Sequence, residues 1–206
     1  GVPQPPQRRG LSAAARCGPA RFGYTARPMT AADSAISDPT LADPPSGWSV
    51  RARRALPDAD ATAALARRLA ACLGPGDTVL LQGQLGAGKS HLARAAIRAL
   101  IGPGGASAEV PSPTFTLVQV YDTEAGEVWH ADLYRLSDPQ EVDELGLDAA
   151  MEAAICLVEW PDRIAPDWPG TAVCLRLGTD PADPESRIAT LIGPAESGLA
   201  ARLEGL

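Results

Sequence analysis

Eight consecutive residues, Gly83-Gln84-Leu85-Gly86-Ala87-Gly88-Lys89-Ser90, follow the spacing GxxxxGK[ST], and their types suit one task, the holding of a polyphosphate. Glycines let the backbone take positive φ and come close to an anion. Successive N–H groups across Gly83, Leu85, Gly86, Ala87 and Gly88 can then turn inward as a concave nest. The start of a following helix adds partial positive charge, and Lys89 brings an ammonium to the β- and γ-phosphates. Ser90 offers its hydroxyl to the magnesium ion that bridges them. Lys89 is the only lysine among 18 basic residues, which makes a chance Gly-Lys pair improbable. It also leaves no second lysine for the [NT]KxD loop of guanine-selective GTPases, so the nucleotide expected is ATP or a relaxed equivalent. His91, one residue past the loop, reads as a packing residue or phosphate neighbour rather than a catalytic base.

Such a loop needs an acidic residue at a strand end to hold Mg2+, directly or through water. Glu159 closes the apolar run Ile155-Cys156-Leu157-Val158, and Asp132 follows Val128-Trp129-His130-Ala131. Asp132 shares a strand face with His130 at i, i+2 spacing. With two histidines in the chain, no zinc ligand set assembles around His130. Thr114, in Ser112-Pro113-Thr114-Phe115, falls where nucleotide switches place a threonine near the γ-phosphate or metal, and an ordinary β-branched strand residue is the equal alternative. Arg135 is either a stabiliser of transition-state charge or a structural ion-pair member.

The elements that must carry these groups follow in order. Trp48 to Leu56 reads as an edge strand. Asp58 caps a helix whose Leu65, Leu69, Cys72 and Leu73 share a face, and Gly74-Pro75-Gly76 stops it. Thr78 to Gln82 is a short buried strand, and Ser90 to Ile101 a helix beyond the loop. Further strands are expected at Phe115 to Tyr121, Glu127 to Tyr134 and Ala154 to Trp160, with a helix over Asp138 to Ala154. Ala172 to Leu177 and Arg187 to Ile192 suggest two antiparallel strands closing the sheet. The fold class expected is α/β, a P-loop NTPase three-layer sandwich with a mainly parallel sheet and antiparallel strands at its edges.

Composition bounds the remainder. The chain of 206 residues has room for one such domain, residues 47–206, behind a leader and linker, 1–46, which is expected to be disordered. Residues 1–28 hold five arginines and no acid, so the body is more acidic than the overall charge of −7 implies. That balance disfavours direct nucleic-acid binding. The leader is read as inert or extraneous, ahead of a start at Met29, with an organellar transit peptide as the alternative. No apolar stretch is long enough to span a bilayer. Cys17, Cys72, Cys156 and Cys174 form no CxxC pair and read as reduced thiols, which suits a cytoplasmic protein.

Beyond the loop, the chain carries Ser112-Pro113-Thr114-Phe115-Thr116-Leu117-Val118, His130-Ala131-Asp132-Leu133-Tyr134-Arg135-Leu136, Glu144-Leu145-Gly146-Leu147 and Leu157-Val158-Glu159-Trp160-Pro161. With these blocks the chain resembles the TsaE (formerly YjeE) family of bacterial ATPases over about residues 56–192. The resemblance implies an ATPase that serves threonylcarbamoyladenosine formation on tRNA with TsaB and TsaD proteins as partners, meeting tRNA only through the assembled complex. It implies that Ser90 and Glu159 bind Mg2+, with Asp132 close to the metal. Lys89, Asp132, Glu159 and Thr114 are then the catalytic candidates, Thr114 lies in a switch-like segment, and Trp160 sits near the nucleotide. Gln84 stands where an acidic residue is common in the family, and Ser90 where threonine is commoner. Two rival functions keep the same loop: a small-molecule kinase, which would yield a phosphorylated product, and a nucleotide-gated binding module with little turnover.

Overall fold

The computed structural model describes residues 41–136, 140–165 and 168–206. Expectations for residues 1–40, and for the start of the helix expected from Asp138, lie outside the described residues.

Local signals set the elements. Strand β1, Trp48–Leu56, leads to helix α1, Ala59–Cys72. Asp58 caps α1 by accepting from the Ala61 N–H at 2.7 Å, which satisfies one of the orphan donors of the first turn. Leu65, Ala66, Leu69 and Cys72 fall on its buried face. Strand β2, Thr78–Gln82, is buried at every position, as expected of a central strand with both faces covered. Helix α2, Lys89–Ile101, buries Leu92, Ala93, Ala96, Ile97 and Leu100, and Gly102 at φ +86° ends it.

The second half of the chain builds β3, Val118–Thr123, β4, Gly126–Asp132, α3, Gln140–Glu144, α4, Leu147–Ala153, and β5, Ile155–Glu159. It closes with β6, Val173–Asp180, β7, Asp183–Pro194, and α5, Gly198–Leu203. The seven strands form one sheet in the order β1-β7-β6-β2-β5-β4-β3. β6, β2, β5 and β4 are mutually parallel, and the β1–β7, β6–β7 and β3–β4 pairs are antiparallel. One face packs against α1, α2 and α5 through Val79, Leu81, Leu157 and Leu175. The other packs against α4 and its neighbours through Leu80, Cys156, Val158 and Cys174. This is the three-layer α/β sandwich expected. Because the central strands are parallel, the ends of β2, β4, β5 and β6 open on one edge of the sheet, where ligands of such folds bind.

Several features depart from the sequence reading, among them the last two strands, which reach further than expected, β6 to Asp180 and β7 from Asp183 to Pro194. The strand expected from Phe115 begins at Val118, since Leu117 takes φ +64° and its N–H turns back to the Pro113 carbonyl. The strand expected to reach Tyr134 stops at Asp132, whose carboxylate accepts from the Tyr134 N–H and turns the chain. The single helix expected before β5 is two, because Gly146 at φ +70° separates them. Helix α5 has no counterpart in the sequence reading, although Ser197 caps it.

Cys156 and Cys174 are buried free thiols, and burial pushes both up to about 12. Cys72 is buried on the inner face of α1, and Cys17 lies outside the described residues. Among the described residues no helix is long and apolar enough to cross a membrane.

The cap at Asp58 gives a test of local folding. Asp58→Ala is expected to lower stability by about 1 kcal/mol, read from urea denaturation, because it orphans an N–H at the start of α1.

Candidate functional site

The turn between β2 and α2 is shaped by three glycines. Gly83 takes φ +149°, and a Cβ there would lie 2.4 Å from the Leu177 carbonyl oxygen and 3.2 Å from the Ala87 Cβ. Close approach of β6 therefore demands glycine at this position. Gly86 and Gly88 take φ +80° and +102°, yet a Cβ on either would meet nothing within 4 Å. These two bend the loop around open space, the form of an anion nest. Leu85 at the tip is 79 % exposed, whereas Ala87 is buried.

Lys89 starts α2 and is 4 % exposed. Its ammonium donates to the carbonyls of Gly83 at 2.7 Å and Gln84 at 2.9 Å, so it closes the loop on itself. The Trp160 indole covers it from above, 3.7 Å from Nζ to the ring centroid. Burial lowers the lysine below its ordinary value, and Glu159, Asp132 and Asp162 partly oppose that shift.

The two candidate carboxylates meet here because the β4–β5 register sets Asp132 opposite Glu159. Both are buried, at 4 % and 1 %. Glu159 accepts from the Ser90 hydroxyl at 2.7 Å through Oε2 and contacts His130 Nε2 at 2.8 Å through Oε1. Asp132 accepts from the Thr114 hydroxyl at 2.8 Å and the Tyr134 N–H at 3.0 Å. Ser112 in turn contacts Thr114 at 2.8 Å. Trp160, directly after Glu159, takes φ +59°, a conformation that costs a non-glycine residue about 1–2 kcal/mol, and its ring meets that of Tyr134 at a tilt of 45°, with 4.8 Å between centroids.

Lys89, Ser90, Thr114, Asp132, Glu159 and Trp160 are thus brought to the end of the parallel strands around the glycine loop. His91 is not drawn in: its ring pairs with the Ala59 carbonyl at 3.0 Å. Arg135 lies over the Phe115 ring at 5.5 Å. Sequence reasoning missed a second layer beside the loop. Gln82 donates to Asp162 at 2.6 Å and to the Ala42 carbonyl at 2.8 Å, the Ala42 N–H donates to Asp162 at 2.7 Å, and Arg176 donates to Gln82 at 2.7 Å. A glutamine ending an apolar strand, and an aspartate two residues past Trp160, were the available signals. A cavity of about 250 Å³ adjoins the loop here, lined by Leu41, Gln84, Gly86, Arg176, Thr179 and Arg187.

For a cation, the loop side offers the oxygens of Ser90, Glu159 and Asp132, the hard donors that Mg2+ takes. Among the described residues no group of three or more His, Cys, Asp or Glu could hold a metal alone. A cation here would complete its shell with phosphate and water, the habit of Mg2+ at nucleotide sites.

Two outcomes follow from this geometry. Gly83→Ala is expected to destabilise the fold by about 2 kcal/mol or more, and Gly86→Ala by about 1 kcal/mol, because only the first adds a clash with backbone to the cost of positive φ; urea denaturation reads both. A lysine whose folded pKa is depressed binds fewer protons than in the unfolded chain, so Lys89's own contribution to stability should rise with pH from that depressed value up to about 10.5, while the raised thiols of Cys156 and Cys174 act in the opposite sense. The stability difference between the unaltered chain and Lys89→Met should therefore move in favour of the unaltered chain as pH rises, as measured by denaturation across alkaline pH.

Residues 56–188 match the family model described as "Threonylcarbamoyl adenosine biosynthesis protein TsaE". The chain is similar to the tRNA threonylcarbamoyladenosine biosynthesis protein TsaE of Rickettsia felis, 43 % identical over 103 residues that cover 50 % of this chain and 58 % of the relative. The protein of that name from Bacillus subtilis is 38 % identical over 109 residues, 52 % of this chain and 65 % of the relative. These alignments span about three fifths of the relatives' own length. Among solved structures, the crystal structure of Bacillus subtilis YdiB aligns with a TM-score of 0.57 and 24 % identity, covering 75 % of this chain and 95 % of that one, a likeness of fold. The family model spans well over half of the sequence and contains the glycine loop, both carboxylates and Thr114: the chain belongs to the TsaE family.

Proposed function

We propose that this chain is a magnesium-dependent ATPase that acts with TsaB-like and TsaD-like proteins in threonylcarbamoyladenosine modification of tRNA, in the cytoplasm. The observation that carries the reading is the convergence of a glycine loop, a buried lysine and the Ser90–Glu159 contact of 2.7 Å at the ends of the parallel strands. The N–H groups of the loop would hold the β- and γ-phosphates, with Lys89 exchanging its two carbonyl partners for phosphate oxygens. Ser90 and Glu159, with Asp132 alongside, would hold Mg2+, which when bound neutralises developing charge on the phosphates. Asp132, fixed by Thr114 and the Tyr134 N–H, offers an acceptor for a hydrogen of the attacking water. Trp160 and Tyr134 cover the site and help exclude bulk water.

Several features favour ATP and a protein partner. No second lysine is present to build a guanine-reading [NT]KxD loop. The net charge of −7 is unsuited to gripping free tRNA through its phosphates, so tRNA contact through a complex is the better reading. Leu85 and Phe115, 79 % and 85 % exposed, put apolar surface beside the loop, as a docking face would.

Lys89→Ala is expected to weaken ATP binding roughly ten- to a hundredfold while the melting temperature shows a folded protein; calorimetry reads the affinity, and unchanged affinity would refute the assignment. Glu159→Ala is expected to abolish hydrolysis of ATP to ADP and phosphate, measured with and without TsaB-like and TsaD-like proteins. A phosphorylated small molecule as product would favour a kinase instead. No turnover in the unaltered protein, even with the partners, would favour a binding module.

A further inference from the structure

His130 takes no part in the mechanism above, yet its ring is completely buried, at 0 % exposure, on the floor of the site. The β4–β5 register sets His130 opposite Leu157 and Asp132 opposite Glu159. Residues two apart on a strand share a face, so these four side chains point to the same side of the sheet, the side that α2 covers. His130 therefore approaches Glu159 from one step back along the strands, while Ser90 approaches it from α2. Each takes a different carboxylate oxygen, His130 the Oε1 at 2.8 Å and Ser90 the Oε2 at 2.7 Å.

A carboxylate oxygen accepts, so the hydrogen in this contact sits on Nε2 of His130. In the neutral ring Nδ1 is then a bare acceptor, and among the described residues it finds no hydrogen-bond partner. An unpaired buried acceptor is unfavourable, and the surroundings are apolar, with Val128, Ile155 and Leu157 all fully buried. An aliphatic residue would serve the core better at position 130. What a leucine could not do is hold the Glu159 carboxylate in one orientation.

We propose that His130 is a positioning residue that fixes Glu159 from behind, so that its other oxygen faces Ser90 and the cation site. The inference rests on the magnesium-dependent reading above. Hydrogen-bonded partners behind ligating groups commonly govern metal affinity by about ten- to a hundredfold.

The test measures the affinity of the full chain for ADP by calorimetry, once with excess Mg2+ and once with EDTA. The ratio isolates what the cation contributes, which a merely structural role would not move. His130→Leu is expected to lose about tenfold of the Mg2+-dependent gain while its affinity in EDTA stays within about twofold. His130→Gln, whose amide N–H can reach the same oxygen, is expected to restore the gain, and His130→Asn, too short to reach, is not. In a Glu159→Gln background, His130→Leu should remove nothing further from the gain. The proposal is overturned if His130→Leu keeps the gain, if glutamine fails to outperform asparagine, or if the loss is the same in EDTA. Should the leucine variant not fold, the glutamine and asparagine pair decides the matter. An unaltered chain with no Mg2+-dependent gain overturns the parent reading, and this inference with it.

Discussion

The site is organised around a buried ammonium held by main-chain carbonyls. Lys89 reaches back to Gly83 and Gln84, under the Trp160 ring, with no carboxylate among the described residues as a direct hydrogen-bond partner. A charge in such a place must be solvated by the protein itself. The loop that would receive phosphates is accordingly satisfied by its own lysine in the form seen here. An incoming anion has to replace two good hydrogen bonds with better ones, and charge-assisted bonds to phosphate are stronger than those to neutral carbonyls.

Everything that surrounds this lysine is set by the sheet. Parallel pairing of β2, β5 and β4 fixes Glu159 next to both Leu81 and Asp132, so the two carboxylates inherit their separation from strand spacing, about 4.8 Å between neighbouring strands, and loops have little say in it. The loop after β2 then delivers Ser90 to Glu159 across the end of the sheet. Positive φ at Leu117 and Trp160 marks the two places where the chain bends sharply beside those carboxylates, and strain of this kind tends to collect where function requires a particular geometry.

The legibility of this arrangement in sequence differs from part to part. The glycine loop and the short apolar strands ending in Asp132 and Glu159 are plain, because each depends on residue types within a few positions. The antiparallel edges are legible for the same reason, in the alternation of β1 and the turn-rich joint between β6 and β7. The break at Gly146 and the turn through Leu117 escape, since a lone glycine in a helical pattern is tolerated elsewhere and leucine carries no signal for positive φ. The Gln82–Asp162–Arg176–Ala42 network escapes for a different reason. It joins four segments distant in the chain, and only the finished sheet sets them side by side. His91 shows the converse: its place next to the loop suggests the phosphate, but the first turn of α2 directs its ring to α1.

Ala42 links the early chain to this centre. Its amide and carbonyl engage Asp162, Gln82 and Arg176, and those residues lie just after Trp160, just before Gly83 and on β6. The backbone at Ala42 is thus fastened to side chains that flank the phosphate loop on either side, so a substitution that breaks one of these bonds would be felt at both of its edges.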